Sequence, residues 1–349
     1  MVLVLAATRA AISSGESQIT IADQRPIVRL VAEDVARDLN VAAIKFREPA
    51  TGSDLLYVRS RGVWRCATTF GAVCNSELMT ELLNSFTEAR GVLRTRDPEH
   101  AEEYGFSDAD RLEISFHGPG VLNEEDEDLL LAFAVGSALP GARHGRSFVR
   151  PRGEAAIFET DRNSRKLLER AERSSLPPLL DRRLLAGPWE GRPLGFARIT
   201  VTRPDGETVI EYADLAPDQT GPDGATWTWR VREGDRAGEA GPYIALGFTA
   251  FALHSRYSGF ANPRDARQLG LLPAAARVLL EPRSGDPIQL VVGQPTPEGD
   301  SYIFHEQNRM LMQVDAETAR LIAPTAALLL DRDQPNPWEL WLSLLRGQR

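Results

Sequence analysis

The chain has 349 residues, 42% hydrophobic and 26% charged, with a formal net charge of −9. That length supports two ordinary domains, each with its own core, and the composition excludes a disordered, collagen-like or disulfide-scaffold protein. The acidic balance excludes a generally basic nucleic-acid binder, and two cysteines exclude a chain built on several zinc or iron–sulfur sites.

Residues 1–7 read MVLVLAA. Seven apolar residues do not span about 30 Å of hydrocarbon, and no basic n-region or cleavage site makes them a complete signal peptide. The run fits either the first strand of the fold or the tail of a membrane anchor. Residues 8–26 are small and polar, as in a tether, and residues 1–38 together read as anchor remnant and lead-in.

Two similar units follow, at 39–185 and 196–333. In the first, alternating runs predict strands at 41–47, 54–60 and 63–67, with a tight turn at Arg61-Gly62. Asn75 or Ser76 caps an amphipathic helix with Leu78, Met79, Leu82, Leu83, Phe86 and Ala89 on one stripe and Gly91 past its end. A short capped helix at 97–106 precedes strands at 112–117, 129–135, 147–150 and 155–159, then a helix near 162–172. Residues 174–195 are rich in Pro and Gly and form the boundary.

In the second unit the strands fall at 196–202, 207–212 and 226–231, with a turn at Pro204-Asp205-Gly206. A helix opens at Pro242 and closes at Gly259, with Leu246, Phe248, Phe251 and Leu253 as its bulk. Strands at 276–281, 288–292, 301–306 and 310–314 and a helix at 316–323 complete the unit. Residues 334–349 form an amphipathic helix with Trp338, Leu342 and Leu345 on one face.

The parallel between the units is specific. DPEHAEEYGF (97–106) aligns without a gap on NPRDARQLGL (262–271). Each has an Asp or Asn cap, Pro at the first helical position and Gly at the left-handed position past the end. Trp64 and Trp229 each lie 41 residues before that Gly, Val135-Gly136 matches Val292-Gly293, and Leu-Leu-Asp-Arg recurs at 179–182 and 329–332. The expected class is α+β: two tandem pseudo-symmetric units of antiparallel strands packed with helices.

The order of these marks resembles the bacterial domain-of-unknown-function family 4340. The resemblance is carried by Gly62-Val63-Trp64-Arg65, by Asp97-Pro98 to Tyr104-Gly105-Phe106, and by the Val-Gly strand end before a Pro/Gly loop. The cleaner copy is Leu269-Gly270-Leu271, then Val291-Val292-Gly293, then Tyr302. It covers about residues 40–335. The resemblance implies an extracytoplasmic protein held by an N-terminal anchor beside an ABC-type transporter similar to the gliding-motility exporter. It implies no activity.

The candidate chemistry is sparse, and no catalytic, cofactor-binding or metal-ligating residue is assigned. His305-Glu306 opens like a zinc-protease helix motif, but position 309 is Arg and the segment alternates like a strand. GARHGRS (141–147) is one residue short of a phosphate loop. NEEDED (123–128) lacks the alternate spacing and glycine of a calcium loop. The histidines, His100, His117, His144, His254 and His305, have no partner at catalytic spacing. Cys66 and Cys74 flank a short loop that a disulfide would close in an oxidising compartment. Core packing is expected of Trp64 and Trp229, while Trp227 is expected on the face opposite to Trp229, where an outward ring would mark a contact surface. The expected function is a non-catalytic accessory or scaffold of an envelope transport or motility-like ABC complex, with no nucleic acid and no cofactor. The alternative is a hydrolase or ligand-binding protein with a site between the two units.

Overall fold

The computed structural model describes residues 27–119, 128–139, 145–169, 176–186, 195–215 and 226–330. The MVLVLAA run, the tether, the C-terminal segment at 335–349, His144 and most of NEEDED and GARHGRS lie outside the described residues. The chain divides into two compact units, one of residues 1–69 and 73–180, the other of 181–349 with residues 70–72.

The first unit runs β1 (Ile27–Arg29), α1 (Glu33–Asp38), β2 (Ala43–Glu48), β3 (Ser53–Ser60), β4 (Val63–Cys66), β5 (Ala72–Val73), α2 (Ser76–Thr87), β6 (Arg90–Thr95), β7 (Leu112–His117), β8 (Leu129–Ala138), β9 (Ser147–Pro151), β10 (Ile157–Thr160) and α3 (Ser164–Leu168). The second runs β11 (Phe196–Arg203), β12 (Gly206–Asp214), β13 (Trp227–Glu233), β14 (Arg236–Ala240), α4 (Pro242–His254), β15 (Gly259–Ala261), β16 (Ala276–Pro282), β17 (Ile288–Val292), β18 (Asp300–His305), β19 (Met310–Asp315), α5 (Ala316–Ile322) and α6 (Ala326–Leu330).

Each unit is one large antiparallel sheet. The ten strands of the first are ordered β1-β6-β10-β9-β8-β7-β2-β3-β4-β5, and the nine of the second β14-β13-β12-β11-β16-β17-β18-β19-β15. Read from its β15 edge, the second sheet repeats the order that the first shows from β6 to β5. Tight hairpins fix the registers. Arg61 and Gly62 both take positive φ, 49° and 81°, between the paired Ser60 and Val63, the signature of a two-residue type I′ turn.

One face of each sheet packs on a helix. In the first unit Met79, Leu82 and Phe86 of α2 are fully buried, as are Ile44, Tyr57 and Phe116 of the sheet, and Phe86 meets the Phe116 ring edge-on at 5.3 Å. In the second, Phe248 and Phe251 of α4 bury against a core that includes Ile199, Ile210 and Trp229, and Phe248 meets the Trp229 ring edge-on at 5.9 Å. Each far face carries a smaller core. Ala101 and Phe106 pack with Phe148 and Ile157 in the first unit; Leu271 packs with Val291 and Leu311 in the second. The cap–Pro–Gly segment is therefore the plug of that smaller core. Asp97 accepts from the Glu99 amide and Asn262 from the Arg264 amide, both at 3.0 Å. Gly105 and Gly270 both stand at φ 76°.

The α+β expectation is corrected. Strand accounts for 43% of the structure and helix for 21%, in two large sheets with few helices. The expectation missed β1, β5, β6, β14 and β15, strands of two to six residues that are too short, or too interrupted by glycine and charge, to show an alternation. Gly91 does not end a helix: α2 stops at Thr87, and Gly91 lies in β6, where an added Cβ would sit 3.0 Å from that of Phe158. Likewise α4 ends at His254 and Gly259 begins β15, while Leu246 is exposed and not part of the helix's buried bulk. Trp227 lies two residues from Trp229 and so on the same face of β13. It stacks on Tyr212 at 5.5 Å.

Candidate functional site

A groove of about 800 Å³ lies on the far face of the first sheet, beside the smaller core. Its floor is made of short side chains, Ser115 of β7 and Ala132 and Ala134 of β8. Its rim is made of long ones, Lys45 and Arg47 of β2, Arg150 of β9 and Arg152 just beyond it. Asp54, Glu113 and Glu154 also line it. A hollow forms here because the pleat puts these floor residues side by side: Lys45 pairs across to Ser115, Ser115 to Ala132, and Ala134 to Arg150.

Charge within the groove is unevenly committed. Arg47 meets Asp54 at 3.6 Å and Arg111 meets Glu113 at 3.0 Å. The Arg150 guanidinium lies over the Phe106 ring, 4.9 Å from its centroid. Burial lowers the Arg150 pKa and Arg111 adds to the effect, with Glu113 opposing. Burial pushes the Glu154 carboxyl above its ordinary range, against the pull of Arg96. Ser115 Oγ lies 2.8 Å from His117 Nε2, and His117 is buried.

The second unit supplies an internal comparison. Gly136 and Gly293 anchor the match, and the pairing registers carry it across the sheet. Ser115, Ala132 and Ala134 correspond to Leu279, Gln289 and Val291. Lys45, Arg47 and Arg150 correspond to Thr200, Thr202 and Phe304. The Arg152 amide donates to Ala132 O as the Glu306 amide donates to Gln289 O, which pairs those two positions. Short floor residues are thus replaced by bulky ones, and Phe304 packs into the smaller core where Arg150 borders the groove.

A second hollow of about 470 Å³ surrounds Glu159, with Arg90, Arg146 and Asp161 at its walls. Glu159 has 8% of its side chain exposed. It accepts from Arg94 Nε at 2.6 Å and Arg146 at 2.8 Å. Burial pushes this carboxyl up, but the hydrogen bonds and charges of Arg146 and Arg94 outweigh it and hold the pKa below the usual range. A depressed carboxylate contributes stability above its unfolded pKa and loses it as pH falls through the folded one. Glu159→Gln should therefore cost about 2 kcal/mol at neutral pH. The gap from wild type should begin to narrow near pH 4, the ordinary carboxylate range, and close only below the depressed folded pKa. Urea unfolding at the two pH values checks this; a gap independent of pH would rule out the ion pairs as its source.

The residues singled out in the sequence are scattered. His305 ends strand β18 and is buried, with its Nδ1 accepting from the Asn308 amide at 3.3 Å. His100 is exposed beside Glu103, whose hydrogen bond and charge raise its pKa. His254 ends α4. Cys66 and Cys74 are both buried and not bridged. The described residues hold no cluster of three or more metal-ligating side chains, and none of their helices is long and apolar enough to cross a membrane. Sequence reading missed the groove and the Ser115–His117 pair, although period two in LEISFH puts those two residues on one face. Comparison with protein-family models, curated proteins and solved structures gives no match.

Proposed function

We propose that the chain is a non-catalytic binding module, an accessory or scaffold of a cell-envelope transport or motility-like ABC complex that acts through protein interactions. The observation that supports a binding role is the contrast between two sheets of one strand order. One far face is opened into a groove by Ser115, Ala132 and Ala134, and the other is filled at the matching positions by Leu279, Gln289 and Val291. A packed fold keeps such a hollow at a cost in lost contacts, which a bound partner restores. The envelope setting, extracytoplasmic and anchored at the N-terminus, rests on the sequence resemblance.

A photo-crosslinking residue at position 132, with position 289 as the control, tests this in the native cell. The expected result is a crosslink from position 132 to an identified subunit of an envelope membrane complex, and none from position 289. Equal crosslinking from both positions, or crosslinks to cytosolic proteins alone, would overturn the reading.

One observation favours a second reading. Ser115 lines the groove within hydrogen-bond reach of an imidazole, the first two members of a nucleophile–base relay. Covalent labelling of Ser115 by a fluorophosphonate, abolished in Ser115→Ala, would favour a hydrolase over a scaffold.

A further inference from the structure

We infer that the groove of the first unit takes a short acidic segment of a partner polypeptide, with its carboxylates set against the cations of the rim. This deepens the reading above and rests on it.

Charge differs between the two sheets at matched positions. At seven matched positions the first sheet has four cations and three acids: Lys45, Arg47, Arg150 and Arg152 with Asp54, Glu113 and Glu154. The second sheet has one cation and two acids, with Thr200, Thr202, Phe304, Glu306, Glu207, Arg277 and Asn308 in the same places, so the first face keeps a small positive excess where the second is negative. The fold needs neither set, because both sheets form with the same strand order. The cations are therefore a property of this face and not of the architecture.

The setting of those cations favours an anionic ligand. The chain as a whole carries −9, so a stretch with more cations than acids stands out from the average charge of the protein and favours one docking place for an acidic ligand over others. Arg150 is short of solvent, stacked on Phe106 and next to Arg111. A partly desolvated guanidinium gains from a carboxylate that can accept two parallel hydrogen bonds.

The size of the groove suits a short peptide. The lining residues come from β3, β2, β7, β8 and β9, five adjacent strands. At roughly 4.8 Å per strand this trough is about 19 Å long, the length of about six extended residues. Short floor side chains leave room for a backbone, and the long rim side chains flank it.

The test uses a fluorescent synthetic heptapeptide of alternating Gly and Asp or Glu, its Asn/Gln counterpart, and inorganic phosphate as competitor, with the full chain. The acidic peptide should bind at least about tenfold tighter than the amide peptide in about 20 mM salt, and weaken in about 200 mM. Two double variants should each weaken it about tenfold or more. Lys45→Thr with Arg152→Glu recharges the rim without touching the buried core; Ala132→Gln with Ala134→Val fills the floor with the second unit's residues. Circular dichroism confirms that each is folded. Equal binding of the amide peptide, no binding of either peptide, or unchanged binding by the rim variant would overturn the inference. Displacement by micromolar phosphate would reassign the groove to phosphate groups and also overturn it. A crosslink from position 132 without acidic-peptide binding would sink this inference alone and leave the interaction module standing.

Discussion

Gly136→Ala is expected to destabilise the first unit by about 3–5 kcal/mol, the range in which a single substitution names a specific steric failure. A Cβ at Gly136 would lie 2.1 Å from Tyr104 O and 2.9 Å from the Phe106 ring. The carbonyl belongs to the backbone of the cap–Pro–Gly segment and has no rotamer to escape into. Moving it would also disturb Phe106, which pins the smaller core with Ala101, Phe148 and Ile157. Gly105→Ala should fail in the same way, since its φ is 76° and its Cβ would meet Ser137 N at 2.4 Å. Gly153 separates backbone strain from collision. Its φ is also positive, 80°, but nothing lies within 4 Å of an added Cβ, so Gly153→Ala should cost only about 1–2 kcal/mol. Urea midpoints of the three variants decide the matter, and equal costs would remove the collision argument. In the second unit the matching contact at Gly293 is looser, 3.1 Å to Leu269 O and to Tyr302 O. Gly293→Ala should fall between the extremes.

That pair of glycines shows what was legible in the sequence. Val-Gly and cap–Pro–Gly are more than twenty residues apart and read as two separate marks; in the fold they are the two sides of one contact. The sequence predicts strand β7 to the residue at 112–117, and β17 at 288–292, because apolar residues alternate cleanly in LEISFH and dominate IQLVV, where Gln289 is the one polar residue. Strand β6 was not read, because Arg90-Gly91 after an apolar stripe has the pattern of a helix stop. Its strand state comes from pairing with β1 and β10, partners distant in sequence. The groove was hidden for the same reason. Its lining comes from five strands, and no stretch of sequence holds Lys45, Ser115, Ala132 and Arg150 together. One signal was available: aligning the two units through Gly136 and Gly293 sets Ala132 and Ala134 against Gln289 and Val291, a loss of volume at neighbouring outward positions.

Phe86→Ala is expected to cost about 3–5 kcal/mol and to act on the first unit alone. Phe86 is fully buried on α2. Its ring stacks on Phe133 at 5.0 Å and meets Phe116 edge-on at 5.3 Å. Truncation removes both aromatic contacts and leaves a cavity between the helix and strands β7 and β8. Phe116 and Phe133 are themselves buried, like the rest of this core, and leave little freedom to collapse into it. Phe86→Leu keeps most of the volume and should cost far less, about 1–1.5 kcal/mol, since chiefly the ring geometry is lost. Hydrogen exchange reads the two units separately. Amides of β7 and β8 should lose protection by the full cost, while those of β16 and β17 keep theirs. Equal loss in β16 and β17 would mean that the two sheets open as one cooperative block, and the groove and its filled counterpart could then no longer be treated as independent surfaces.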